Sequence, residues 1–105
     1  MIVPVRGDVF WAEAADKRRP VLVVTRSEAI SVLTTIVVAP ITKTVRDIPS
    51  ELHLGPTEGL TIDCAASFDN LQVVRWRGLL TERIGQLGLH RQQEFCDAFR
   101  ASANC

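Results

Sequence analysis

Arg18-Arg19-Pro20-Val21-Leu22-Val23-Val24-Thr25 is the stretch on which the fold turns. From Pro20 to Thr25 it is an apolar run too short for a stable helix and rich in β-branched residues, so it reads as a buried strand. Proline is tolerated at its first position, where the ladder can spare a donor. Working backwards, Gly7 precedes Asp8-Val9-Phe10-Trp11-Ala12-Glu13, a short aromatic and β-branched segment that reads as a first strand. Ala14 to Arg18 is then a turn. Working forwards, Ser27 to Leu33 suits a single helical turn capped by Ser27. The chain re-enters a strand at Thr34 to Ala39, which Pro40-Ile41-Thr42 ends. Lys43 to Ser50, charged and carrying Pro49, reads as a loop leading to a short strand over Glu51 to Leu54, closed by Gly55-Pro56.

After Gly59, Leu60 to Phe68 reads as another buried strand, Asp69-Asn70 as a turn, and Leu71 to Trp76 as the partner strand. A final strand is predicted over Leu79 to Ile84. In the tail from Leu89 to Ala103, Leu89, Cys96, Phe99 and Ala103 recur at spacings that put them on one side of a helix lying across the sheet. Closely spaced strands, turn signals and one terminal helix predict a mainly β fold with α additions: a curved antiparallel sheet forming an SH3-like barrel with a C-terminal helix. A chain of 105 residues has room for one core, so a single domain over 1–105 is expected.

The hydrophobic share of 47% and charged share of 23% are those of an ordinary globular protein, which excludes wholesale disorder. A formal charge of +0 and a pI of about 6.7 lack the bulk signature of a nucleic-acid binder. The cations are nevertheless unevenly placed. Lys17, Arg18, Arg19 and Arg26 gather around one turn and strand, and Lys43 and Arg46 follow another, so a local basic site fits a neutral chain. Cys64, Cys96 and Cys105 are odd in number and lack metal-ligand spacing, so no metal site is expected. The opening MIVPVRGDVFW has no signal-peptide pattern, and no stretch approaches a membrane span of about 18 apolar residues. A cytoplasmic protein with reduced thiols is expected.

Arg18 and Arg19 stand at the mouth of the buried strand, with Lys17 beside them. Guanidinium offers a rigid fork of donors suited to phosphate, and the strand behind it fixes the backbone. The same residues also suit a solvated turn that keeps an edge strand soluble. Val38-Ala39-Pro40-Ile41-Thr42-Lys43-Thr44 places hydroxyls and a cation beyond another strand end; Thr42 there either donates to a phosphate oxygen or only bonds the turn backbone. Histidine is the usual general acid–base side chain near neutral pH. His53, in a short strand near Gly55, and His90, opening the terminal helix, fall outside these segments and are left out of the catalytic set.

Taken in order, Gly7-Asp8-Val9-Phe10-Trp11, Arg19-Pro20-Val21-Leu22-Val23, Val37-Val38-Ala39-Pro40-Ile41-Thr42 and Phe68-Asp69-Asn70, followed by a helix, resemble the MazF/PemK-like toxin family over essentially the whole chain. The resemblance implies a CcdB/PemK-like barrel and a homodimer, a shape that also suits a small chain with much apolar surface. It implies a toxin that cuts single-stranded RNA at selected sequences and is restrained by a cognate antitoxin, whose acidic, partly disordered segment would fill the basic groove. By position, Arg19 and Thr42 match the family's catalytic arginine and threonine. The reaction implied is attack of a ribose 2′-hydroxyl on its own phosphate, leaving a 2′,3′-cyclic phosphate and a 5′-hydroxyl, without metal or cofactor. Arg19 suits the crowded anionic phosphorane; with a free pKa above about 12 it is a poor proton acceptor.

Lys17, Arg18, Lys43, Thr44, Arg46 and Arg75 are then the expected RNA contacts, with Asp69 and Asn70 as readers of base edges. Trp11 and Trp76 suit either base stacking or packing. Two departures stand out. The segment Ala14-Ala15-Asp16-Lys17-Arg18 is shorter and more charged than the family's glycine-containing turn. Gln72 falls where the family often has a basic residue, leaving Arg75 or Arg77 as replacements. Two other functions remain open: a gyrase-binding toxin like CcdB, which would need a Trp-Gly-Ile-type ending instead of Ala103-Asn104-Cys105, and an inactive SH3-like module that binds an acidic partner.

Overall fold

Strand β1 (Asp8–Ala14) and strand β2 (Lys17–Val23) form an antiparallel hairpin whose register runs from Val9 opposite Leu22 to Ala14 opposite Lys17. The computed structural model describes residues 3–14 and 17–103. Of the turn expected over Ala14 to Arg18, Ala15 and Asp16 lie outside the described residues, and the rest is corrected: Lys17 and Arg18 continue the strand. Arg18 is held there by Glu82 at 2.8 Å and Glu13 at 3.8 Å, and its guanidinium lies 4.9 Å from the centre of the Trp11 ring. Those contacts favour extending the ladder over opening it.

Helix α1 (Ser27–Ile30) is the single turn expected, but its cap is Arg26, with no side-chain bond. The Ser27 hydroxyl accepts instead from the Arg6 backbone N–H at 2.9 Å. Strand β3 (Thr35–Thr42) runs through Pro40 and does not stop there. Its pairing with β2 extends to Val21 opposite Pro40; the next two residues pair with β5 (Cys64–Ser67), Thr42 facing Ala65. A proline that lacks a donor is accommodated because the strand changes neighbours at that point. Strand β4 (Glu51–Leu54) matches the expected span and pairs with β5.

The strand expected over Leu60 to Phe68 shrinks to β5, preceded by a 3-10 turn at Pro56–Glu58 and irregular chain. Asp69-Asn70 turns the chain as expected, within a 3-10 turn over Phe68–Asn70. Strand β6 (Gln72–Arg75) then pairs with β3, not with the strand before it. Trp76 leaves the strand for a short helix, α2 (Trp76–Leu79), and β7 (Leu80–Gln86) returns to pair with β1. The sheet runs β4-β5-β3-β2-β1-β7, with β6 on β3.

The apolar run of β2 is explained by burial on both faces. One face carries Val9, Leu22, Ala39, Leu52 and Ala66 under helix α3 (Gln92–Ala103), which contributes Phe95 and Ala98. Phe68 meets Phe95 edge-on at 5.2 Å. The other face carries Phe10, Ala12, Val21, Val23, Ile36 and Val38, covered by Ile30 and Trp76. Two tightly covered faces make the fold the expected one, a curled antiparallel half-barrel with a C-terminal helix. Leu89 does not join the helix face: it lies in a preceding 3-10 turn (Leu89–Arg91) and is 90% exposed. Among the described residues no helix is long and apolar enough to cross a membrane.

Candidate active site

The registers decide which expected site residues can meet. Directly opposed residues of antiparallel strands project to the same face. Arg19 opposes Ala12 on the face of Phe10 and Val21. Val21 opposes Pro40 as the last pair of that ladder, and Arg19 and Thr42 each lie two residues beyond it on their strands. Thr42 follows Val38 and Pro40 by alternation onto the same face. The two residues assigned to catalysis, 23 positions apart in the chain, therefore stand on one face of adjacent strands, just past the point where the β2–β3 ladder ends.

Their side chains differ in how they are held. Arg19 is exposed and makes no hydrogen bond or ion pair among the described residues, so its guanidinium is available to an anion. Thr42 is half-buried, and its oxygen accepts from the Thr44 backbone N–H at 3.1 Å. That is the turn-bonding role, but it uses only an acceptor position, so the Thr42 hydroxyl proton is still free to donate.

Lys17 shares the Arg19 face by alternation. Lys43, Thr44 and Arg46 lie in the exposed loop between β3 and β4, beside Thr42. That loop is tied down at several points. The Arg46 backbone N–H donates to Glu51 Oε1 at 2.8 Å, with the Arg46 guanidinium 4.0 Å from Glu51 Oε2. The Asp47 carboxylate meets His53 Nε2 at 3.0 Å. Ser50 donates to Asp69 Oδ2, and Asn70 donates to the Ser67 hydroxyl at 3.0 Å. Asp69 and Asn70 are thus exposed but partly engaged in fixing their own turn.

Two of the expected RNA contacts, Arg18 and Arg75, are not brought to this face. Arg18 alternates to the opposite side, against Trp11, Glu13 and Glu82. Arg75 opposes Thr35, which puts it on the side away from Thr42, whereas Gln72 opposes Val38 and lies on the Thr42 side. Arg77 stacks 4.3 Å over Trp76 and reaches the Ser31 carbonyl, so neither arginine replaces a basic residue at Gln72. Trp76 is buried and donates its indole N–H to the Leu33 carbonyl at 2.8 Å, and so packs the core. Trp11 is half-buried under Arg18.

One residue set aside from the sequence belongs nearby. His53 opposes Ala65, which opposes Thr42, so Thr42, Ala65 and His53 form one cross-strand row on the face that also carries Arg19. No sequence signal placed it there: the row exists only because β4 and β5 stack beyond β3. His90 is exposed in the 3-10 turn before α3. Among the described residues no group of three or more His, Cys, Asp or Glu side chains has a metal-binding arrangement.

Comparison with known proteins gives the family of the chain. Residues 5–103 match the family described as "PemK-like, MazF-like toxin of type II toxin-antitoxin system". The chain is 35% identical to a probable endoribonuclease, MazF5, of Mycobacterium tuberculosis, over 98% of this chain and 95% of the relative. It superposes on the Mycobacterium tuberculosis toxin MazF-mt6 with a TM-score of 0.84 and 32% identity, covering 92% of this chain and 96% of the other. An endoribonuclease from a mycobacterial species, solved in complex with its cognate antitoxin, shares the fold with a TM-score of 0.82 at 22% identity, covering 96% and 95%. With its barrel, its terminal helix and nearly its whole length matched, the chain belongs to the PemK-like, MazF-like toxin family of type II toxin–antitoxin systems.

Proposed function

We propose that this chain is the toxin of a type II toxin–antitoxin pair and an endoribonuclease that cleaves single-stranded RNA at selected sequences, thereby inhibiting translation and growth. The family match and the endoribonuclease relatives support the activity. The observation that carries the site assignment is that Arg19 and Thr42 lie on one face of adjacent strands, each two residues beyond the last pair of the β2–β3 ladder, with Arg19 making no hydrogen bond or ion pair among the described residues and the Thr42 proton free.

In this reading the scissile phosphate sits over the Arg19–Thr42 pair. The 2′-hydroxyl loses its proton as its oxygen attacks phosphorus, and the 5′-oxygen leaves and takes up a proton. The products are a 2′,3′-cyclic phosphate and a 5′-hydroxyl, so neither external water nor a metal enters the balance. Arg19 stabilises the equatorial oxygens of the phosphorane and Thr42 donates to one of them, which lowers the barrier by fixed electrostatics. Lys17, Lys43, Thr44 and Arg46 hold the neighbouring backbone, and Asp69 and Asn70 read base edges from their turn. Arg18 and Arg75, on the opposite face, are left out of that path. The toxin acts in the cytoplasm as a homodimer, and an acidic segment of the antitoxin blocks the same cationic face.

The test is incubation of the purified protein with a long single-stranded RNA in EDTA, followed by sequencing of fragment ends, with Arg19→Ala in parallel. Discrete cuts with 5′-hydroxyl ends are expected, reduced about 10²–10³-fold in the variant at an unchanged thermal transition. RNA left intact by the wild type would overturn the nuclease reading and favour a protein-binding module.

A further inference from the structure

The face that carries Arg19 and Thr42 does not stop at Thr42. The cross-strand row from Thr42 passes Ala65 and ends at His53, about 10 Å beyond Thr42 at two inter-strand spacings. His53 is exposed, and its Nε2 is fixed by Asp47 at 3.0 Å, which leaves Nδ1 and the ring face open. It also lines a groove of about 690 Å³ along β4, the outermost strand of the sheet. The far wall of that groove carries Asp63, which is exposed and makes no hydrogen bond or ion pair among the described residues. The Asp63 carboxylate leans over Gly55, where a Cβ would come within 3.0 Å of Oδ1.

The charges of this groove identify what it can hold. Asp47, Glu58 and Asp63 line it with His53 and His90, and the one guanidinium among its described lining residues, Arg91, is already bound by Glu58 at 3.3 Å and by Glu94 at 3.0 Å. With Asp47 held by His53 and Glu58 by Arg91, the carboxylate left free is Asp63, which disfavours phosphate. It favours a neutral group that donates hydrogen bonds, and carboxylates accept from the amino groups of bases. A flat imidazole beside them offers a stacking surface.

We propose that the groove between His53 and Asp63 is a base-reading subsite, which receives one unstacked base flanking the scissile phosphate and selects a base with an amino-bearing edge. The proposal rests on the nuclease reading above and deepens it: phosphate is held at Arg19 and Thr42, and identity is read two strands away.

The test compares wild type, Asp63→Asn and His53→Gln on an RNA library randomised around the cut, with fragment ends sequenced and thermal transitions recorded. Both substituted side chains are exposed, and asparagine keeps the shape of Asp63. In wild type one flanking position is expected to prefer an amino-bearing base. In Asp63→Asn, which removes the charge and turns one acceptor oxygen into a donor, that preference falls about tenfold at that position alone, the scale of one weakened base-edge contact, and His53→Gln weakens the same position. A motif unchanged at every position in Asp63→Asn overturns the proposal and leaves the groove to a peptide pairing with the open edge of β4. Loss of all cutting in that variant overturns it too, since a base contact governs choice and not chemistry. A wild type that cuts no RNA fails the nuclease reading itself, a result distinct from either.

Discussion

Thr42 shows how one side chain serves structure and chemistry together. Its oxygen accepts from the Thr44 N–H while its proton stays free. Replacing Thr42 by valine keeps the β-branched shape that β3 needs and removes the donor. The expected result is a kcat about 10²-fold lower, with stability changed by about 1 kcal/mol or less and with Thr42→Ser recovering most of the activity. Single-turnover cleavage rates and thermal melts check this. Cys64 makes a different prediction. Burial, reinforced by the nearby carboxylates of Asp63 and Glu58, raises its thiol pKa above the ordinary value, and the thiol donates weakly to the Leu54 carbonyl. A pKa raised on folding contributes stability that is complete below the unfolded value near 8.5 and is lost as pH rises through the folded value. This group should therefore weaken the fold in alkaline solution. Iodoacetamide at pH 8 should leave Cys64 unmodified until denaturant is added, as peptide mass spectrometry would report.

At the scale of elements, the close approach of β7 to the 3-10 turn at Pro56–Glu58 holds the far edge of the sheet. A Cβ on Gly85 would stand 2.1 Å from the Glu58 carbonyl oxygen, and Gly59, at φ +91°, would press one onto Ile84. Gly85→Ala should cost about 1–3 kcal/mol by forcing the two segments apart, measurable as a lower urea midpoint. Helix α3 is tied to the same turn through Arg91, which bridges Glu94 and the buried Glu58. The hydrogen bond from Arg91 holds the Glu94 carboxyl below the usual range. Its stabilising contribution is present above about pH 4.3 and is lost as pH falls through the lower folded value. The β4 span and the turn at Asp69-Asn70 were legible in the sequence because short β-rich runs and turn residues act locally. The continuation of β3 through Pro40 and of β2 back to Lys17 was not, because each depends on which strand lies alongside.

For the whole molecule, Val32, Val73 and Leu89 are large apolar side chains left exposed, Leu89 at 90%. A neutral chain with such surface should self-associate. Sedimentation at micromolar concentration is expected to give the mass of a dimer, and a monomer throughout would overturn that expectation. The sequence by itself determined the ingredients: buried β-branched runs, a one-faced terminal helix, and an arginine and a threonine at two strand ends. These follow from local periodicity and residue chemistry, which need no partner. Only the tertiary structure decided how they combine. Register placed Arg19 on the same face as Thr42, sent Arg18 and Arg75 to the other face, and carried His53 into a row with Thr42. In a sheet, a side chain's neighbours are set by strand order and by a side-chain period of two, and neither is written in the chain until distant strands have paired.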